Sequence, residues 1–418
     1  MTDSQTGTAP ERIEMELDVV GPEAIRDPHG YFGRLREVSP IVWDTRSRSW
    51  VVTGYQLVTR ALRDADNFSS DRIRPFIAKK LSGPDTDPLV RQAFEVLTNW
   101  LVFNDKPMHI RLRMLINQAF MSKAMARLAD RFSELADEVI EAAPAAGTFD
   151  LIEVVTNPFS ASVISEMLGV PREDRWRFEQ WHRLFGPIIG ASLDDANKYD
   201  ALAQGVDELI AYVRVLIDRY RETPEDNLLS ELIKARDEGE ALSEAEILAT
   251  CTLVLFAGSE TTANLMANAI LALLRNPDQL ALLRAGKVDI ALAVEEFLRI
   301  DGSGKAVTRV VRQDADVLGV AMKAGQRVFL ILAAANHDPA IFANPDQLQL
   351  DRTSENKHVA FGYGVHSCMG LQLARLEVAL AIPKILAKWG RIELAGELAW
   401  HPQLLSRGLK ALPVKVGP

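Results

Sequence analysis

Cysteine is almost missing from this chain, with two in 418 residues, Cys251 and Cys368. A disulfide framework is therefore excluded as its organising device, and a reducing compartment, the cytoplasm, is expected. Positive charge is also short: 47 Lys and Arg face 57 Asp and Glu, a net charge of −10. That balance argues against a nucleic-acid partner. No apolar run approaches the roughly 18 residues that span a bilayer. The N-terminus lacks the basic-then-apolar pattern of a secretory signal. No membrane association is expected. No Pro/Gly/Ser-rich linker and no internal repeat divides the chain. Length alone would allow two or three domains, but without boundaries one large domain over 13–418 is expected, after a disordered segment 1–12. The 48% hydrophobic content is enough for a sizeable core and ordinary for a globular enzyme.

What is present is mostly helical periodicity. Phe132–Ala143 and Asp207–Arg221 read as amphipathic helices. Ser243 and Glu246 have capping-box spacing. They open a helix that runs to about Arg275, where Asn276-Pro277 stops it. At 1.5 Å per residue that helix is roughly 48 Å long. Its stretch Thr252–Phe256 is apolar all round, which predicts burial in a large core. Short strands are predicted at Ile41–Trp43, Trp50–Thr53, Gln326–Leu332 and within 404–416.

One segment makes Cys368 the chemical centre: Phe361-Gly362-Tyr363-Gly364-Val365-His366-Ser367-Cys368-Met369-Gly370. Its glycines permit a tight backbone turn. Cys368 precedes an apolar helix, whose first N–H groups favour a negative charge and hence a thiolate, the metal-ligating form. A thiolate beneath a flat ligand is the arrangement of cysteine-ligated haem. Other readings exist. A lone cysteine is commonly a small buried hydrophobe. Cys368 and His366 form a conceivable nucleophile–base pair. A dinucleotide loop fails because Ser367 stands where a third glycine belongs. Zinc needs more ligands than His366 and Cys368 supply.

Three further segments carry polar chemistry. Ala257-Gly258-Ser259-Glu260-Thr261-Thr262 is a poor choice for a buried helix interior, and the helix is expected to be interrupted there. Thr261 can return its hydroxyl to the Ala257 carbonyl and bend the helix, opening a groove for a diatomic ligand. The alternative is a tolerated kink with Glu260 paired elsewhere. Glu296 and Arg299 are three apart on one helix face, commonly no more than a surface pair. His109 and Arg113 share a face of a helix that begins near Pro107.

Taken in order, these four segments resemble the cytochrome P450 family. Its haem-loop pattern, Phe-Gly-x-Gly-x-His-x-Cys-x-Gly, is met here at every fixed position, and the resemblance covers nearly the whole chain. It implies a mainly α fold with small β-sheets, with haem b between the long central helix and the Cys-loop helix. Cys368 would ligate the iron, with Phe361, Gly362 and Gly370 shaping the loop and Ala257 lying over the haem. Glu260 and Thr261 would deliver protons. His109, Arg113, Arg309 and His366 would bind the haem propionates. Glu296 and Arg299 would form a structural lock. Leu253, Phe256, Ala257, Lys305 and Val307 would face the substrate. Lys305 is the least expected of these, and would suit a substrate bearing a carboxylate.

The implied activity is that of a monooxygenase acting with O2 on a mostly apolar small organic molecule. Its electrons would come from a ferredoxin or flavodoxin with its reductase, docking on a monomeric protein near Lys357, Arg375 and Arg111. A peroxide-using enzyme and a non-catalytic haem sensor are the competing expectations. The substrate walls are expected in 73–104 and 176–193. Two departures stand out. No proline lies in Asp301-Gly302-Ser303-Gly304-Lys305, so a more flexible or reshaped loop is expected there. Gln347-Leu348 replaces an Arg-Phe pair, so fewer polar partners are expected for Arg299.

Overall fold

The computed structural model describes residues 12–75, 88–121, 123–177, 181, 198–237, 241–353 and 357–418. Helices dominate, and three small sheets lie among them. The expected disordered segment is outside the described residues except for Arg12. That residue is placed: its guanidinium bonds Glu14 and lies 4.7 Å from the Trp43 ring centre. Residues 76–87 and most of 178–193, where the substrate walls are expected, also lie outside the description.

The long central helix spans Glu244–Arg275 and carries the capping box that its sequence predicts. The Glu246 carboxylate accepts from the Ser243 N–H at 2.7 Å, and the Ser243 hydroxyl accepts from the Glu246 N–H at 3.3 Å. Complete burial falls at 262–271 rather than at Thr252–Phe256, where Leu253, Val254 and Phe256 are half-buried, Leu253 and Val254 because they line a cavity. The helix packs against the helices Asn157–Leu168, Ile290–Asp301 and Leu371–Lys388. At Gly258 the first of these comes so close that a Cβ would stand 2.4 Å from Ile164 Cδ1. Helical hydrogen bonding continues through the Ala257–Thr262 motif, so the expected interruption does not occur. The hydroxyls explain this. Ser259, Thr261 and Thr262 bond back to the carbonyls of Leu255, Ala257 and Gly258 at 3.1, 2.7 and 3.1 Å. Their polarity is absorbed within the helix.

The largest sheet has six strands, in the order Glu14–Met15, Ile41–Asp44, Ser49–Val52, Arg327–Ile331, Ala306–Val311 and Phe68–Ser69. Arg309 pairs with Val328 in its fifth strand. A second sheet joins Arg391–Leu394, Pro413–Gly417 and Gly147–Asp150. The loop without proline is not loose. Arg407 N–H donates to the Ser303 carbonyl at 2.8 Å and Lys305 N–H donates to the Leu405 carbonyl at 2.9 Å, tying it to the C-terminal segment.

Glu296 and Arg299 sit on the helix Ile290–Asp301, each with its side chain 2% exposed. Arg299 does not lack partners. Its Nε and Nη2 donate to the two Glu296 oxygens at 2.7 and 2.8 Å. Nη1 donates to the carbonyls of Asn336 and Pro345, and Nη2 to that of Gln347. All five guanidinium N–H donors are thus used. Arg352, which sequence reasoning passed over, adds a second cation: its Nε donates to Glu296 Oε2 at 3.0 Å. Replacing Glu296 with Ala leaves Arg299 buried without its anion, which costs about 3–5 kcal/mol. Urea unfolding measures this; a loss of about 1 kcal/mol or less, the scale of an exposed pair, would show that the backbone carbonyls suffice.

Candidate functional site

The cysteine loop is a folded turn. Gly362 N–H donates to the Val359 carbonyl at 2.8 Å, and Cys368 N–H closes back on the Phe361 carbonyl at 2.9 Å. Gly362 and Gly364 hold φ of 69° and 75°, a region L side chains avoid. A Cβ at Gly364 would also stand 2.7 Å from the Leu62 carbonyl oxygen. The helix Leu371–Lys388 follows Gly370 directly. Cys368 is accessible, yet protein surrounds it: burial pushes its thiol up, against the Gly370 N–H and the charges of Arg113 and Arg375. The favourable helix-start field expected from sequence is present but is outweighed by desolvation. A coordinating metal cation reverses such a balance, because a ligating thiol is deprotonated outright.

Cys368 opens onto a cavity between its own loop and the central helix. The central helix forms the opposite wall through Leu253, Val254, Ala257 and Gly258, and His109, Arg113 and His366 stand at its edge. Three expected wall residues lie elsewhere. Phe256 stacks on Trp100 with centroids 5.6 Å apart. Val307 packs against the core of the six-stranded sheet. Lys305 is 1% exposed, so it meets neither this cavity nor solvent. Burial and the neighbouring Arg407 lower its pKa to about 7, against the pull of Asp301.

The edge of the cavity collects cations. The rings of His109 and His366 lie 4.0 Å apart. Burial and the charges of Arg113 and Arg309 hold them neutral, with pKa values lowered to about 4 and about 3. His109 Nε2 is buried without a partner. Arg113 donates to the Ser367 carbonyl at 2.7 Å and to its hydroxyl at 3.2 Å. Among the described residues Arg309 bonds only the Thr308 carbonyl, at 2.9 Å; its pKa falls to about 10 through burial, against the pull of Asp105. Asp105 itself is engaged by Ser69, Ser70 and Arg312.

An apolar slot with a thiol on one face and unneutralised donors at one edge fits a flat ligand carrying carboxylates, as haem b does. Among the described residues no group of three or more His, Cys, Asp or Glu could hold a metal unaided, which leaves the zinc reading without ligands.

One turn beyond the wall residue Ala257, the Thr261 hydroxyl donates to the Ala257 carbonyl, so its lone pairs remain available as acceptors; neither Thr261 nor Glu260 lines the cavity itself. Glu260 beside it has its pKa raised by burial, opposed by a hydrogen bond from Asn264. Two of the three cations expected to receive an electron donor are already committed. Arg375 holds Glu295 through two bonds of 2.5 and 2.9 Å and lies 4.8 Å from the Phe361 ring centre. Arg111 holds Glu246 at 2.8 Å. Lys357 is exposed. Substituting Arg375 with Gln should therefore cost the holoprotein about 1 kcal/mol or less, the scale of a partly exposed pair, and loosen the loop at Phe361. Thermal melting and proteolysis of the loop measure this; an unchanged melt with slowed electron transfer would restore Arg375 to the docking face.

The family model described as Cytochrome P450 matches residues 38–285 and 291–391. The cytochrome P450 monooxygenase PikC of Streptomyces venezuelae is 35% identical, covering 99% of this chain and 97% of that protein. Vitamin D(3) 25-hydroxylase of Pseudonocardia autotrophica is 40% identical over 77% of this chain and 79% of its own. Among solved structures, P450BioI in complex with an acyl carrier protein ligated to hexadec-9Z-enoic acid is 31% identical. It covers 94% of this chain and 100% of that one, with a TM-score of 0.85.

Proposed function

The chain belongs to the cytochrome P450 family, and from that premise we propose which of its residues carry the reaction. As a haem–thiolate monooxygenase it uses haem b, O2, an external electron donor and a small-molecule substrate. Cys368 Sγ is the iron ligand, and His109, Arg113, Arg309 and His366 hold the propionates. Phe361, Gly362 and Gly370 fix the loop, and Ala257 covers the opposite side. Bound there, the haem supplies the redox chemistry that splits O2, placing one oxygen atom in a substrate C–H or C=C bond while the other leaves as water. Cys368 as thiolate contributes electron density to that cleavage.

The observation that carries this reading is the position of Cys368 on a cavity wall facing Ala257 and Gly258, with the cationic edge between. Glu260 and Thr261 serve as the proton route. The raised pKa of Glu260 lets its carboxyl hold a proton at higher pH than an ordinary carboxylate, and the Thr261 oxygen can receive it. The apolar wall residues favour a mostly apolar substrate, with Leu253 and Ala257 in contact with it. A ferredoxin or flavodoxin with its reductase supplies the electrons to a monomeric, cytoplasmic enzyme. No described helix is long and apolar enough to cross a membrane.

Replacing Cys368 with Ala tests the assignment: the thiolate signature of the reduced carbon monoxide complex should vanish. A Cys368→Ala protein that keeps the signature would overturn it.

The proton route has its own test. Thr261→Ala should divert reducing equivalents from product to peroxide. In the parent, coupling should fall as pH rises through the raised Glu260 pKa, because the carboxyl then loses its proton. Glu260→Gln, which cannot titrate, should flatten that fall. Identical pH profiles for the two would remove Glu260 from the route.

A further inference from the structure

Arg72 lies on the loop that leaves the short strand Phe68–Ser69. Its guanidinium carbon stands 5.0 Å from the centre of the Phe103 ring. Among the described residues its side chain has no hydrogen-bond or ion-pair partner. The carboxylates of that region are taken: Asp71 accepts from Arg74 Nη1 at 2.9 Å, and Asp105 accepts from Ser70 N–H at 2.9 Å and Arg312 Nη2 at 2.8 Å. The charge that Arg72 does feel is a like charge, Arg309. That repulsion adds to burial, the larger cause, in lowering its pKa to about 10. Its surface is nonetheless partly accessible. Arg309, whose charge Arg72 feels, also acts on the His109 and His366 rings that line the Cys368 cavity, so Arg72 stands beside the same cationic edge. Two neighbouring arginines without an anion are costly to bury. Guanidinium groups are also the chemistry that recognises a planar carboxylate.

We propose that Arg72 is an anion-binding residue of the site, holding with Arg309 a carboxylate carried by either the haem propionate edge or an acidic substrate. The proposal rests on the haem reading, so the variants must first show the thiolate signature of the carbon monoxide complex. Its loss would count against that reading and not against Arg72. Arg72→Gln and Arg72→Lys are then compared with the parent holoenzyme in two measurements. One is the rate of haem transfer to excess apomyoglobin. The other is spectral titration with dodecanoic acid and with its methyl ester.

A propionate partner predicts haem transfer about tenfold faster in Arg72→Gln, the scale of a lost hydrogen bond to a charged group, with the rate restored in Arg72→Lys. An acidic substrate predicts about tenfold weaker binding of the acid in Arg72→Gln, with the ester and haem transfer unchanged. Unchanged haem transfer, together with equal effects on acid and ester or none on either, overturns the proposal.

Discussion

Arg299 donates all five of its N–H groups, and the acceptors come from four residues, Glu296, Asn336, Pro345 and Gln347, so one buried cation sets the spacing of several segments at once. Its bond to the Asn336 carbonyl matters most for the site. Asn336 Oδ1 accepts from the Val359 N–H at 2.7 Å, and the Val359 carbonyl accepts from Gly362 N–H at 2.8 Å. An unbroken series of hydrogen bonds thus links the Glu296–Arg299 pair to the loop that presents Cys368. A buried ion pair is weak evidence for stability as such. Here its geometry acts as a register mark, since moving any one of these strands or loops would strand a charge in the core.

The cavity shows the opposite arrangement. Among the described residues, the cations around Glu296 are satisfied by the protein, whereas Arg309, Arg72 and His109 Nε2 are not. The same chain therefore pays its desolvation cost in full beneath the loop and leaves it open at the cavity edge. That asymmetry separates a structural charge network from a binding one. Lys305 shows why burial alone is insufficient. It too is buried and without a bonded partner for its ammonium among the described residues, but its pKa near 7 lets it shed its charge. Arg72 and Arg309 keep theirs at neutral pH and need an anion.

Much of this was legible in the sequence because local chemistry and tertiary role coincided. The capping box at Ser243, the Asn276-Pro277 stop, the positive-φ glycines and the loop around Cys368 each declare themselves within ten residues. What sequence could not show depended on distant partners. Gln347-Leu348 suggested an under-bonded Arg299, yet the missing side chain is replaced by backbone carbonyls and by Arg352, five residues beyond Gln347. The loop Gly302–Lys305 reads as flexible until its pairing with residues 405–407 is seen. Arg375 reads as a surface charge until Glu295 is found against it. Arg72 follows no spacing rule, and its meaning comes from the like charge of Arg309 beside it and from having no bonded partner among the described residues.

The thiol of Cys368 draws these threads together. Burial favours its neutral form, while Gly370 N–H, Arg113 and Arg375 each favour the anion without prevailing. Arg375 is held in place by Glu295, whose carboxyl the Arg375 and His358 contacts draw down to about 2 against the opposing effect of burial. Arg113 is held by Ser367, next to the cysteine itself. The protein thus supplies a partly compensated site, short of what an isolated thiolate needs. Metal binding and proton loss are linked in such sites, so under the proposed ligation this thiol would give up its proton on taking a metal. A site that fully stabilised the free thiolate would instead expose a reactive nucleophile in an accessible cavity.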